Sequence, residues 1–160
     1  MIRASLAVVA LVAGSSPPVR AQPRQDAIDR PTDTHVALVA GLWHDDVLKP
    51  GEGWHRYQFT AAEAGAIAFQ MRAPAAQPDL WPYLLIVEAT NHDRNWAGVG
   101  NRRTNLCEVI VEVEAGKRYD VIATSQQNAV LAAGQRQRTD GPYTVAALPV
   151  RLTAEEIARP

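Results

Sequence analysis

The feature that most constrains the fold is a series of short runs in which apolar and polar residues alternate, separated by glycine, proline, asparagine and aspartate. A period of two is that of a β-strand with one buried face, and no helical period is sustained before the last few residues. The runs predict strands at residues 36–42, 54–60, 66–72, 83–90, 106–114, 118–125 and 142–150. Seven or eight short strands predict an all-β fold, an antiparallel β-sandwich.

The first 21 residues have the pattern of a signal peptide cleaved after Ala21. A basic start precedes an apolar run at residues 4–14 and a polar stretch that ends in Val19-Arg20-Ala21, with small or branched residues at its third-last and last positions. A membrane anchor is the alternative, but this run is much shorter than the ~20 residues that span a bilayer, and no cysteine near its end could carry a lipid. We therefore expect a periplasmic or secreted protein with no membrane insertion after cleavage.

The rest of the chain divides into three parts. Residues 22–34 contain almost no large apolar side chain and are expected to form a flexible leader. Residues 35–150 hold every predicted strand and form the sandwich domain. Residues 151–160 are expected to be a C-terminal tail or a short helix, because Thr153 and Glu156 have the spacing of a capping box.

Composition and motifs exclude several classes of function. The 160 residues carry 16 Lys and Arg against 17 Asp and Glu, so no broad positive field favours nucleic acid. Cys107 is the single cysteine and lies on the apolar face of its run, which predicts an inert buried thiol rather than a nucleophile. No Gly-x-Ser-x-Gly, His-Glu-x-x-His or glycine-rich phosphate motif occurs, and no cofactor is predicted.

Several short segments follow one another in a characteristic order: 57–59, 64–65 with the strand 67–71, 78–79 before 83–87, 109–114 with 115–116, 119–123 and 141–145. This order resembles that of the bacterial pre-peptidase C-terminal domain over about residues 51–148. The resemblance implies a jelly-roll-like β-sandwich. It also implies an accessory or binding module of secreted enzymes rather than a catalyst.

The resemblance does not extend to a metal site. Many members of that family carry an aspartate-rich segment after the central hairpin, whereas residues 100–104 here read Gly-Asn-Arg-Arg-Thr. Two arginines stand where calcium would require anionic oxygen ligands. Asp79 matches the family's aspartate before the central strand, but one carboxylate does not make a calcium site, so no metal is predicted.

The four tryptophans are the strongest indication of a ligand surface. Trp43, Trp54, Trp81 and Trp96 lie near strand ends or in polar segments, where they either contact a sugar or a peptide or plug the ends of the sandwich. Trp96 lies in a segment rich in Asn, Arg and Gly, residues 91–105, that is interpreted as a long connection. The predicted ligand-binding residues are Trp96, Arg94, Asn101, Arg102, Arg103 and Trp81, with a polysaccharide, a peptide or a secreted protein as the partner.

Two other functions remain open at this stage. A small secreted hydrolase could use His44 or His92 with a neighbouring aspartate, although adjacent residues on a strand point to opposite faces. The chain could also be a purely structural subunit that contacts another secreted protein.

Overall fold

The computed structural model describes residues 36–49, 52–75, 80–101, 103–130 and 140–150. The predicted signal peptide, leader and C-terminal tail lie outside these ranges. The described part contains the strands β1 (Val36–Leu38), β2 (Trp43–Leu48), β3 (Trp54–Thr60), β4 (Gly65–Arg72), β5 (Pro82–Glu88), β6 (Asn91–Val99), β7 (Leu106–Val113), β8 (Arg118–Ser125) and β9 (Gly141–Pro149), with the short helix α1 (Gln126–Val130) after β8.

The strands form two sheets. The first sheet has the order β1-β3-β8-β5-β6, and the second has the order β2-β9-β4-β7. Strands β1 and β3 pair in parallel, and the other strand pairs are antiparallel. This arrangement confirms the prediction of an all-β sandwich.

The core lies between the two sheets, where the inward positions of the alternating runs meet. Phe59 on β3 packs edge-on against Phe69 on β4, with ring centroids 5.4 Å apart. Every residue of β5 is buried, as expected for a strand with a continuous apolar run that lies inside the first sheet, between β8 and β6. Tyr83, Leu85 and Val87 point away from the main core into a second apolar cluster with Ile122.

Two strands, β2 and β6, were not predicted from the sequence. The first predicted strand is too long: β1 ends at Leu38, and β2 begins at Trp43 in the other sheet. Gly41 has a φ of 81°, a conformation that suits glycine, and the chain crosses between the sheets there.

The interpretation of residues 91–105 as a long connection is also wrong, because Asn91–Val99 forms β6 and pairs with β5. The strand lies at the edge of its sheet, and most of its side chains are exposed. An edge strand needs few large apolar residues, so its sequence has the polar composition of a loop.

The predicted inert thiol is found buried. Cys107 is fully inaccessible on β7, and burial raises the pKa of its thiol to about 11. Because the thiolate is the reactive form, we expect Ellman's reagent to leave Cys107 unmodified for hours at pH 8 in the folded protein and to modify it at once in guanidinium chloride. Stoichiometric labelling of the folded protein within minutes would contradict this placement.

Candidate functional site

Two of the predicted ligand-binding residues lie together at one end of the sandwich. Trp96 faces the core as a half-buried ring with its centroid 6.3 Å from that of Tyr119. The Arg94 guanidinium lies 5.7 Å from the Trp96 ring centre and forms ion pairs with Glu88 at 3.0 Å and Glu114 at 2.7 Å. Arg94 therefore already has two carboxylate partners, and Trp96 contributes to packing.

The other predicted ligand-binding residues lie at the opposite end of β5. The indole N–H of Trp81 donates to the carbonyl oxygen of Gly100, and Asn101 forms an isolated bridge with Leu106. Arg103 is exposed in the following turn, while Arg102 lies outside the described residues. Seven strand residues, about 20 Å, separate this group from Arg94, so the five described residues do not form one surface. Their role in binding stays a prediction.

A different surface gathers polar, charged and aromatic side chains on the outer face of the second sheet. There β9 lies between β2 and β4, and the register places Asp45, Thr144 and Arg72 side by side across the three strands. We call the depression along this row the β9 groove. It includes an open cleft of about 420 Å³, lined by Asp45, Asp46, Val47, Arg72, Ala73, Pro74, Pro142, Tyr143 and Thr144.

An aromatic and cationic pair lies beside the cleft, of which Arg72 is a lining residue and Trp43 is its neighbour. The Arg72 guanidinium lies 5.2 Å from the centre of the Trp43 ring, and Trp43 is 42% exposed. Trp43 is paired in register with Ala146 and Arg72 with Thr144, so the two side chains reach diagonally across β9. The pair holds a large aromatic ring in solvent at the edge of the cleft.

A polar cluster lies on the inward side of β2 and β9, where these strands face β3 of the first sheet. The hydroxyl of Tyr57 donates to Asp46 Oδ2 at 2.6 Å and contacts the hydroxyl of Tyr143. His55 Nδ1 lies 3.0 Å from Asp46 Oδ2 and 2.7 Å from the Tyr143 hydroxyl, and His55 Nε2 lies 2.9 Å from Glu52 Oε2. We call these five residues the Asp46 cluster.

The hydroxyl groups of the Asp46 cluster form a chain of donors. Tyr57 donates to Asp46, so in the contact between the two phenols Tyr143 donates to Tyr57. Both ring nitrogens of His55 lie within hydrogen-bond distance of oxygens of Asp46, Tyr143 and Glu52. The cluster therefore ties together β2, β3 and β9.

The pKa shifts agree with this chain of donors. Burial, followed by the neighbouring Tyr143 and Asp46, raises the pKa of Tyr57, and burial also raises that of Tyr143. Partial burial acts to raise the pKa of Asp46, but the hydrogen bonds from Tyr57, the Val47 amide and His55 outweigh it and hold the pKa below its ordinary value. The two phenols stay neutral and the carboxylate stays charged, which suits a structural network rather than a nucleophile.

Replacing Asp46 with asparagine is expected to lower the free energy of unfolding by about 1–2 kcal/mol at pH 7, because the charged acceptor of Tyr57 and His55 is lost. The pKa of Asp46 in the folded state lies below 3.8, so its contribution is complete above that pH and is lost as the pH falls through the folded-state value. Urea denaturation of both proteins from pH 7 to pH 3 should show the difference shrinking below about pH 4. A constant difference over that range would contradict the assigned role.

The pairs proposed for a hydrolase are not brought together. His44 points inward and packs edge-on against Tyr57 at 5.5 Å, whereas Asp45 is exposed on the opposite face of β2. His92 and Asp93 are adjacent residues near the start of β6, and both are exposed. Neither pair forms the histidine–carboxylate contact that acid–base catalysis requires.

The described residues give no indication of a metal centre or a membrane span. None of their His, Cys, Asp and Glu side chains form a group of three or more that could hold a metal ion. Across the same ranges, no helix has the length and apolarity needed to cross a bilayer.

The sequence contained only partial signals for the groove and the cluster. The alternation of β3 places His55 and Tyr57 on one face, but Asp46 and Tyr143 come from strands that only the folded topology brings beside them. Trp43 was one of the four tryptophans singled out. Its pairing with Arg72 depends on the register of β2, β9 and β4, which the alternation pattern does not specify.

Comparisons with known proteins identify a solved structure with the same fold as this chain. No family model and no curated protein matches this chain. Ten chains of solved structures match. One is the crystal structure of the pre-peptidase C-terminal domain of a collagenase from Bacillus anthracis, with a TM-score of 0.53 and 15% identity over 73% of this chain and 99% of that chain. At this identity the likeness shows the fold alone, and it confirms the predicted resemblance at that level.

Proposed function

We propose that this protein is an exported, non-catalytic binding module that holds a polymeric ligand in the β9 groove. The observation that carries the proposal is the exposed Trp43 ring, fixed by Arg72 beside an open cleft of about 420 Å³. Large aromatic and arginine side chains dominate binding energies at protein surfaces, and here both lie at one site. The fold shared with an accessory domain of a collagenase is compatible with this role.

The arrangement of polar groups favours binding over catalysis. His55, Asp46 and Glu52 are already paired within the Asp46 cluster, and the raised pKa values of Tyr57 and Tyr143 remove them as bases or nucleophiles. The side chains left at the rim are Asp45, Arg72 and Thr144, which offer hydrogen-bond donors and acceptors. Such a rim can orient a ligand, and its one carboxylate, Asp45, has no histidine beside it on the same face of β2.

The proposal of export rests on the sequence of the first 21 residues and has its own test. The full chain is expressed in a bacterium, the cells are fractionated, and the N-terminus of the product is sequenced. We expect a chain that begins at Gln22 in the periplasm or the medium. A cytoplasmic chain that keeps Met1 or Ile2 at its N-terminus would reject this part of the proposal.

Binding is tested by intrinsic tryptophan emission of the purified protein, titrated with soluble cell-wall glycans, storage polysaccharides and unstructured peptides. We expect a saturable change with one ligand class, because Trp43 is exposed at the groove. The matched control is the variant Arg103→Ala, because Arg103 is exposed and belongs to the ligand-binding residues predicted from the sequence rather than to the groove. Calorimetry of this variant should give the same ligand affinity as the wild type. If no ligand class produces a saturable response in either measurement, the binding proposal fails.

The hydrolase alternative is tested with the same panel. An enzyme would shorten or cleave one of these polymers over hours, and His44→Ala or His92→Ala would abolish the reaction. We expect no change in polymer length with the wild-type protein, and unchanged binding by His92→Ala, because His92 lies on β6 in the other sheet from the groove. Turnover that depends on either histidine would replace the binding proposal with a catalytic one.

A further inference from the structure

The walls of the cleft are mainly aliphatic. Val47, Ala73, Pro74 and Pro142 line it together with Tyr143, and proline offers no N–H group to a ligand. The hydroxyl of Tyr143 and the carboxylate of Asp46 are already hydrogen-bonded within the Asp46 cluster. The interior of the cleft therefore has little capacity to pair with polar groups of a ligand.

The strand that forms the floor is paired on both sides at Thr144, which lies between β2 and β4. The other two β9 residues that line the cleft, Pro142 and Tyr143, are paired with β2 alone, and Pro142 has no N–H group. A sugar ring inserted here would bury hydroxyls that lack partners, which is unfavourable. An aliphatic or aromatic side chain has no such requirement and gains from leaving water.

The rim of the cleft carries one charge of each sign. Within the described residues, Asp45 and Arg72 form no ion pair, and Arg72 contacts the Trp43 ring. Thr144 lies between them in the same row, so their backbones are separated by two strand spacings, or about 10 Å. An extended peptide covers that distance in three residues.

We infer that the occupant of the β9 groove is an extended polypeptide segment rather than a glycan, an inference that rests on the proposed function. The segment places one apolar side chain in the cleft. A basic residue on one side of it faces Asp45, and an acidic residue on the other side faces Arg72, about three residues away. A partner of this chemistry matches the aliphatic walls, the Trp43 ring beside Arg72 and the two opposite charges of the rim.

The test begins with selection from a phage-displayed library of random heptapeptides on the immobilised full chain. We expect enrichment of peptides with a Leu, Ile, Met or Phe flanked within three residues by one basic and one acidic residue. A parallel selection uses Thr144→Phe, which fills the cleft from its half-buried floor position without adding charge. Enrichment of the same peptides on both proteins would overturn the inference.

The best selected peptide is then synthesised and measured by calorimetry. Thr144→Phe is expected to weaken binding at least tenfold and Arg72→Gln three- to tenfold. The Arg72→Gln effect should vanish when the peptide's acidic residue is changed to its amide, because the two groups then no longer form a pair. Arg72 is exposed, so this variant is expected to fold even if Thr144→Phe does not. Ile110→Ala, an exposed change on the same sheet face, is the control and should bind normally.

Failure of this inference and failure of the proposed function give different results. If a glycan saturates the wild-type protein and loses affinity in Trp43→Ala, while selected peptides show no dependence on Thr144 or Arg72, the binding module stands and the peptide inference is wrong. If neither peptides nor glycans bind in a Trp43-dependent way, the proposed function itself is wrong.

Discussion

Replacing Phe69 with alanine is expected to lower the free energy of unfolding by about 3–5 kcal/mol, the range for removing a large aromatic side chain from a packed core. Phe69 is completely buried on β4 and meets Phe59 of the opposite sheet edge-on. Removing the ring takes away both apolar burial and an edge-on aromatic contact between the two sheets. Urea denaturation followed by far-ultraviolet circular dichroism measures the loss.

The matched control for Phe69→Ala is Ile110→Ala on the outer face of the same sheet. Ile110 is 56% exposed, so its truncation is expected to change the free energy of unfolding by less than about 0.5 kcal/mol. A loss below 1 kcal/mol for Phe69→Ala, or equal losses for the two variants, would show that the core is not packed between these sheets as described.

Replacing Trp43 with alanine is expected to weaken binding of the groove's ligand about 30-fold, equivalent to roughly 2 kcal/mol. The ring lies beside the cleft and contacts Arg72, which lines it, so its removal eliminates an apolar surface and releases a charged side chain. Because Trp43 is exposed, the variant should keep a thermal midpoint within a few degrees of the wild type. Calorimetry with the ligand found in the emission titration gives the affinity.

The conservative variant Trp43→Phe separates the loss of aromatic surface from a general disturbance of the sheet. It keeps an aromatic ring beside Arg72 and should retain most of the affinity that Trp43→Ala loses. If Trp43→Ala binds as tightly as the wild type, the β9 groove is not the binding surface. If both variants lose binding together with their thermal stability, Trp43 has a structural role.

The parts of the fold that could be predicted are those in which alternation is strong. The run with Ile67, Phe69 and Met71 on one face became β4 with these side chains buried, and the continuous apolar run of β5 became an interior strand. In these segments the alternation with a period of two specifies both the kind of element, a strand, and the face of it that is buried. Burial of Cys107 follows from the same pattern in β7.

The parts that could not be predicted depend on pairing. In β6 only one large apolar residue, Trp96, faces inward, so the strand is specified by its hydrogen bonds with β5 rather than by its own composition. The β9 groove depends on a register that unites Trp43, Arg72 and Thr144 from three separate strands. Short-range patterns contain no information on which strands become neighbours.

The most direct test of the central claim, that the β9 groove is the binding surface, is a set of nitrogen–proton correlation spectra of the labelled 17.4 kDa protein with increasing amounts of the ligand class that saturates tryptophan emission. The account predicts progressive shifts of the Trp43 indole signal and of the backbone amides of Asp45, Arg72 and Thr144, with unchanged signals for Trp96 and Arg94. Shifts confined to Trp96, Arg94, Trp81 or Arg103, with the groove signals unchanged, would contradict it.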